Sequence, residues 1–370
     1  MRIAIVLESL NRGGGERQAI YATSELVRNG HHIELIYYTR SDHQYDVSIL
    51  PQKNVVYLAK NKTYLRFLLR LRQYFKQRRF DVVHGWMSGS GIYAGLAGRL
   101  AGVPVVFAGF RAEYDGYVLI RLAHRVINKI VTGWIVNSKA AVLSMVKGVG
   151  ANPDKVHVVY NGIDPEAFRS KLTPMEARLR LGLPVSCQIA SIVGRLRAQK
   201  NHTLFVEMAT LVHRELPDVH FLVVGDDDGD EQARLEAQAS RLGVRERIHF
   251  LGNRSDIPDI LAATDGVILT SHYEGVANSL LEAMSVGLPV VSTAYAGVEE
   301  LITHEHDGLI APLGDAALLS SHVCRLLRDF HLRKRLGKNG QDTIRQRFSM
   351  QAMGQHLYAI YDRYLTESRR

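Results

Sequence analysis

Cysteine is nearly absent from this 370-residue chain: only Cys187 and Cys324 occur, far apart and with no histidine or second cysteine at ligand spacing. That scarcity excludes a disulfide framework and a cysteine-held zinc site, and it fits a reducing compartment. Nowhere do eighteen apolar residues follow one another, and the opening run Met1–Glu8 is too short for a secretory signal. A cytoplasmic protein that does not itself span a membrane is expected. Low-complexity tracts and short-period repeats are also missing, which leaves an ordinary globular composition with 46% hydrophobic and 22% charged residues.

The length is too great for one ordinary core and suits two domains. Short β-branched runs alternate with helical patterns at Ile3–Leu7, Ile33–Tyr38, Asp81–His84, Pro104–Ala108, Trp134–Val136 and Val156–Val159. Runs without polar alternation describe a parallel sheet buried on both faces. After a polar, proline-containing stretch at Asp164–Pro184 the pattern restarts at Gln188–Val193, Val219–Val224, Ile248–Leu251, Gly266–Leu269 and Pro289–Ser292. The expectation is two α/β domains, residues 1–165 and 166–348. A C-terminal helical segment, 349–370, carries Met353, Leu357, Ile360 and Tyr361 at helical spacing and is expected to return to the first domain. Chemistry is expected in a cleft between the carboxyl strand ends.

Charge is uneven. Of the 46 Lys+Arg and 37 Asp+Glu, residues 1–165 hold 22 and 11, leaving 24 and 26 for the rest. A basic first half attracts a polyanion: nucleic acid, an anionic bilayer or a phosphorylated substrate.

The first βα turn reads Asn11-Arg12-Gly13-Gly14-Gly15-Glu16-Arg17. Its backbone N–H groups can face an anion, or its glycines can simply serve a tight turn. It is not G-x-G-x-x-G, and the second strand ends in Tyr37-Tyr38-Thr39-Arg40 without a ribose-binding acid, which argues against a nicotinamide dehydrogenase. In the second half Gly194-Arg195-Leu196 follows a strand, with Gln199-Lys200-Asn201-His202 just beyond. Arg195 can fork onto phosphate oxygens and Lys200 can add a point charge, a clamp for a leaving diphosphate. After the strand at Gly266–Leu269 comes Ser271 through Met284, where Asn278 or Ser279 is expected to cap a helix carrying Glu282, with Glu274 just before it. The acidic run Asp226–Asp230 is open to a metal reading, and only the family resemblance given next implies a solvated loop there instead.

Arg195, Lys200, the Glu274–Glu282 spacing, Gly287-Leu-Pro-Val-Val and Ala296-Gly297-Val298-Glu299-Glu300 resemble the large retaining GT-B family of bacterial polysaccharide and lipid-glycan glycosyltransferases. The glycine turn and Asn161-Gly162-Ile163-Asp164 extend the resemblance over nearly the whole chain. It implies two Rossmann-like domains facing across a cleft, with a nucleotide-sugar donor as substrate, UDP favoured over GDP, and no metal or other cofactor. It further implies that Arg195 and Lys200 bind the donor diphosphate, Glu274 the transferred sugar and Glu282 the ribose. Backbone N–H groups of Asn278, Ser279, Leu280 and Leu281, with Gly194, would meet phosphate, and Gly13 and Gly14 would approach it on closure. Where many relatives carry a histidine after the strand ending Phe107-Ala108-Gly109, this chain has Phe110 and Arg111. Arg111 is the candidate replacement, and His84 is a candidate for sugar contact or proton transfer, or else a satisfied core histidine.

Two basic, apolar stretches, Thr63–Arg79 and Tyr117–Val131, suggest peripheral contact with the inner face of an anionic membrane bearing a lipid-linked or glycan acceptor. In Thr63–Arg79 the apolar stripe runs through Tyr64, Phe67, Leu68, Leu71, Tyr74 and Phe75, which can instead pack on the first sheet as the inner face of a crossover helix. A nucleotide-sugar epimerase or hydrolase of the same fold, and a basic nucleic-acid-binding protein, are the alternatives. No nucleic-acid motif supports the last.

Overall fold

The apolar run after Met1 forms β1 (Arg2–Ser9), buried without a break from Ile3 to Leu7, as a strand covered on both faces must be. The computed structural model describes residues 1–11, 13–40, 44–60, 63–111, 118–227 and 229–370. After β1 come α1 (Gly14–Arg28), β2 (His32–Thr39), β3 (Val55–Tyr57), α2 (Tyr64–Arg78), β4 (Val82–Gly85) and α3 (Ser88–Ala101). They are followed by β5 (Val105–Phe110), α4 (Val118–Asn128), β6 (Gly133–Val136), α5 (Lys139–Val149) and β7 (Val156–Val158). Among the described residues these strands make one sheet in the order β3-β2-β1-β4-β5-β6-β7, every pairing parallel. Phe67, Leu71 and Phe75 of α2, Ala94 and Ala97 of α3, Ile127 of α4 and Met145 of α5 pack with Ala4, Val6, Val83 and Val106 on one face. Ala19, Ala22 and Leu26 of α1 pack with Ile3, Ile5, Val82 and Val105 on the other.

The second unit runs through α6 (Pro174–Arg180), β8 (Ile189–Val193), α7 (His202–Glu215), β9 (His220–Val224), α8 (Glu231–Arg241), β10 (Ile248–Gly252) and α9 (Ile257–Ala263). It continues with β11 (Gly266–Leu269), α10 (Asn278–Ser285), β12 (Val290–Thr293), β13 (Leu309–Ala311), α11 (Ala316–Arg328) and α12 (Phe330–Arg347). Its sheet, also parallel, has the order β10-β9-β8-β11-β12-β13. The last helix, α13 (Met350–Ser368), starts with the Ser349 hydroxyl accepting from the Ala352 N–H. Its residues Met353, Leu357, Tyr361 and Leu365 bury a four-residue stripe in the first unit's core, each contributing ~2 kcal/mol of apolar burial. Close approach to α1 needs Gly354, where a Cβ would lie 2.8 Å from the Glu25 Cβ.

The chain divides into Met1–Gly162 with Ser349–Arg370, and Ile163–Phe348. Each is a Rossmann-like α/β unit. The proline-containing stretch is not a bare connection: Thr173 and Glu176 form a capping box, Pro174 takes the first helical position, and α6 packs into the second unit beside Leu183 and Ile260. In each sheet the strand order reverses once, between β1 and β4 and between β8 and β11. These are the switch points beyond whose carboxyl ends an open parallel sheet leaves room for a ligand.

Candidate functional site

At the switch point of the second unit, two loops leave β8 and β11 side by side. The His272 N–H donates to the Gln199 carbonyl at 2.9 Å, and the Gln199 amide donates to the Tyr273 carbonyl at 2.8 Å. The Thr270 hydroxyl donates to the Lys200 carbonyl at 2.8 Å. This stitching holds the Lys200 ammonium 2.7 Å from Glu274 Oε1, with side-chain exposures of 19% and 12%. Ser271 Oγ donates to the same Glu274 oxygen at 2.8 Å. Lys200 lies over Gly194, where an added Cβ would sit 3.1 Å from Lys200 Cε. Any larger residue at 194 would crowd the ammonium's stem. The structure thus brings Gly194, Lys200 and Glu274 together, whereas Arg195 stands exposed just past β8.

Beyond Glu274, α10 begins with Ala277 as its cap and no side-chain capping bond. Asn278 and Ser279 occupy the first and second helical positions, which corrects their expected capping role: the chain turns helical one residue before either could cap. The Leu280 and Leu281 N–H groups both donate to the Ala277 carbonyl at 3.2 Å. They are engaged in the first turn, and would act on an anion through the helix dipole rather than as open donors. Glu282 is buried on this helix. The loop expected to be solvated is partly structural: Asp227 accepts from the Gly229 and Gln232 N–H groups at the start of α8, while Asp228 lies outside the described residues.

Two further groups flank the pair. Tyr295, past β12, is buried, and burial first and the Glu274 charge second raise its pKa. His202, quoted in the motif but given no role, is buried in the first turn of α7. Burial, and then the Lys200 charge, lower its pKa to about 4. A histidine with a depressed native pKa adds stability that is complete above the unfolded value, near 6.5, and lost as pH falls through the folded one. Between those limits the loss is about 1.4 kcal/mol per pH unit for this one group. Thermal melts from pH 6.5 to 4 should therefore fall more steeply for the wild type than for His202→Leu. Equal slopes would remove His202 from the account.

The first unit builds a separate constellation at its own switch point. Trp86 Nε1, after β4, donates to the Gly15 carbonyl at 2.9 Å and so spans the gap between β4 and the glycine turn. Gly13 precedes α1 and Gly14 opens it. The Arg111 guanidinium lies 4.0 Å from the Trp86 ring centroid, and donates to Asn161 Oδ1 at 2.8 Å. Desolvation lowers the Arg111 pKa to about 9, so it stays cationic at neutral pH. Gln18, missed in the sequence, is buried and makes both possible bonds to Gly162: its amide donates to the carbonyl at 2.9 Å and its oxygen accepts from the N–H at 2.8 Å. His84 lies wholly inside this core, Nδ1 2.7 Å from the Tyr361 hydroxyl, and burial and the Arg111 charge lower its pKa well below the ordinary value. It is a neutral ring beside Trp86, with the two ring centroids 5.0 Å apart.

These two switch-point sites can be set beside known proteins. The family described as "Glycosyl transferases group 1" matches residues 177–343, and that described as "Glycosyltransferase Family 4" matches residues 12–167. An Escherichia coli UDP-Gal:alpha-D-GlcNAc-diphosphoundecaprenol alpha-1,3-galactosyltransferase is 30% identical over 275 residues, 72% of this chain and 71% of its own. The chain is a group 1 (family 4) glycosyltransferase. Streptomyces kanamyceticus alpha-D-kanosaminyltransferase is 29% identical over 321 residues, 80% of the present glycosyltransferase and 81% of its own length. Anabaena HepE, solved in complex with UDP and glucose, shares the fold of this glycosyltransferase with a TM-score of 0.85 at 21% identity, covering 98% of this chain and 100% of its own.

Proposed function

We propose that this glycosyltransferase moves a hexosyl or N-acetylhexosaminyl unit from a UDP-sugar to a glycan or lipid-linked acceptor of bacterial surface-glycan synthesis, with retention at the anomeric carbon. The Lys200–Glu274 pair carries this reading. A cation and a carboxylate held 2.7 Å apart at a switch point offer one group to a diphosphate and the other to sugar hydroxyls. The relative from Escherichia coli is named for UDP-Gal and a diphosphoundecaprenol acceptor, and HepE holds UDP and glucose, which supports UDP over GDP.

In the transfer, the acceptor oxygen bonds to the anomeric carbon on the face that UDP leaves. The carbon–oxygen bond to UDP breaks, and the acceptor proton passes to the departing phosphate. Arg195, Lys200 and the α10 dipole meet the developing phosphate charge, while Glu274 orients the sugar and Glu282 the ribose. No protein nucleophile and no metal is assigned a part. In the first unit the turn at Gly13 and Gly14, with Arg111, is assigned to substrate, and His84 to positioning Trp86.

Calorimetry with a panel of UDP- and GDP-sugars, followed by NMR of the product's anomeric proton, tests this. Selective UDP-sugar binding and a product with the donor's configuration are expected. Preference for GDP, an inverted product, or release of free or epimerised sugar without an acceptor would each overturn a stated part.

A further inference from the structure

Where β2 and β3 end, a cluster of tyrosines takes no part in the reaction derived above. Lys60, three residues past β3, donates its backbone N–H to the Tyr38 carbonyl at 2.9 Å, which brings its side chain over three rings. The ammonium lies 4.7 Å from the Tyr93 ring centroid, 5.0 Å from that of Tyr64 and 5.4 Å from that of Tyr38. Its charge is met by ring faces rather than by a carboxylate among the described residues. Tyr38 is held in turn by Phe67, with ring centroids 4.9 Å apart, and by Tyr93 at 5.8 Å. Tyr64, expected on the inner stripe of α2, is 66% exposed and offers an open ring face instead.

A polar pair adjoins the rings. Tyr38 is 1% exposed, yet its hydroxyl has no hydrogen-bond partner among the described residues. Burial first and the Glu8 charge second raise its pKa, so it remains a donor at neutral pH. Glu8 stands exposed near the carboxyl end of β1. The two meet at Gly89 in the first turn of α3, where a Cβ would lie 3.4 Å from Glu8 Oε2 and 4.0 Å from the Tyr38 hydroxyl. Those are ordinary contact distances, and Gly89 is not among the glycines of positive φ. Neither crowding nor backbone geometry therefore calls for glycine here, where alanine would favour the helix. What the missing side chain leaves is a gap with a carboxylate on one wall and a hydroxyl on the other.

An open ring face, a carboxylate that accepts, and a hydroxyl and an ammonium that donate are the complement of a pyranose, whose C–H face lies on an aromatic ring while its hydroxyls bond the polar groups. We infer that Glu8, Tyr38, Lys60, Tyr64 and Tyr93, around the gap at Gly89, form a carbohydrate subsite for a sugar of the acceptor other than the one that reacts. Position in the sheet supports that distinction. β2, which carries Tyr38, and β5, which leads to Arg111, stand three places apart, roughly 14 Å at the ordinary strand spacing. One pyranose ring does not span that distance, so a sugar on the tyrosines is a different unit from one at Arg111 and the glycine turn. The acceptor is then a glycan of at least two sugars, and the tyrosines grip a unit already in its chain. That the bound sugar belongs to an acceptor rests on the transfer reaction proposed above; that a sugar binds here does not.

Saturation-transfer NMR on the full chain tests this, with the methyl α-glycosides of glucose, galactose and N-acetylglucosamine as probes, each alone and with saturating UDP. At least one probe should receive saturation from tyrosine ring protons and keep it when UDP is bound. Tyr38→Phe, which removes only an unpartnered hydroxyl, should weaken that probe's binding about fivefold, the usual worth of one hydrogen bond, and so should Glu8→Gln. Gly89→Ala fills the gap with a methyl group and should do the same. All three variants should melt at or above the wild-type temperature and bind UDP like the wild type, so that lost probe binding is not lost folding. In transfer, Gly89→Ala should raise the acceptor KM about fivefold and leave kcat within about twofold, because the subsite does not touch the reacting atoms. No saturation of any probe, or equal binding by the wild type and all three variants, would overturn the subsite. Displacement of the probe by UDP would overturn it by assigning the sugar to the donor, and a fall in kcat as large as the rise in KM would do so by placing these residues at the reaction itself. If a probe binds and the variants lose it while UDP does not bind the wild type, the subsite stands and the transfer reading falls.

Discussion

Lys200→Ala is expected to lower kcat/KM for sugar transfer by about 10²–10³-fold, the usual cost of removing one preorganised group from a developing anion. The structure also makes Lys200 the counter-ion of Glu274, at 2.7 Å and mostly enclosed, so the substitution has two effects. One is the lost cation at the phosphate. The other is a carboxylate left with the Ser271 hydroxyl as its remaining close partner in the pair's immediate setting. Both side chains keep some exposure, so the stability cost should stay near 1–2 kcal/mol, below that of breaking a sealed pair. A double-mutant cycle with Glu274→Gln separates the effects. If Lys200 served only to neutralise Glu274, adding Lys200→Ala to Glu274→Gln would cost nothing further. If it meets the leaving diphosphate, the double variant should lose a further ~10-fold or more in kcat/KM, and UDP affinity with it. Wild-type kcat/KM in Lys200→Ala would end the assignment.

Gly225→Ala should be the most damaging single methyl at this site. A Cβ at 225 would lie 2.0 Å from the Gly194 carbonyl oxygen and 3.0 Å from the Arg195 nitrogen, both backbone atoms that cannot rotate away. Gly194 is tied to β9 by its N–H bond to the Val224 carbonyl at 2.8 Å. Relief must therefore move the end of β8, and with it Arg195 and the floor under Lys200. We expect ~3 kcal/mol of destabilisation, at the upper end of ordinary overpacking, together with at least a tenfold loss of UDP affinity. Gly229→Ala is the control, because a Cβ there meets nothing within 4 Å. Urea unfolding and calorimetry on the two variants check this. Similar values for both would mean that the β8 and β9 ends are not held in contact.

Long buried strands were legible from composition alone. The runs read as Ile3–Leu7, Ile33–Tyr38 and Gly266–Leu269 each fall within strands, because an uninterrupted β-branched run has few other ways to leave water. The three-residue edge strands β3 and β13 were not legible. Val55–Tyr57 is half-buried throughout, so it shows neither alternation nor a solid apolar run. Nor was α6, whose sequence reads as a polar connection until its capping box is noticed. At the site, Arg195 and Lys200 could be nominated because charged groups just beyond a strand have a stated chemistry, and Glu274 and Glu282 because their spacing carries a family resemblance. Gln18, Trp86 and Tyr295 could not. Their partners lie 144 residues away for the Gln18–Gly162 bonds and 71 for the Trp86–Gly15 bond, and no local pattern encodes such separations.

The sequence by itself determined that two parallel α/β units exist, that a glycosyltransferase family is the right setting, and which charged residues deserve attention. These follow from periodicity and from motifs whose members sit close together in the chain. Only the tertiary structure decided that Lys200 and Glu274 neutralise one another, that His84 is sealed beside Trp86, and that Leu119, Leu122 and Val126 on α4 face outward while α2 spends its stripe on the core. Pairing and burial depend on which strand ends and helix faces the chain brings together. Two basic amphipathic stretches that look alike in sequence were therefore told apart only once the sheet beneath them was in place.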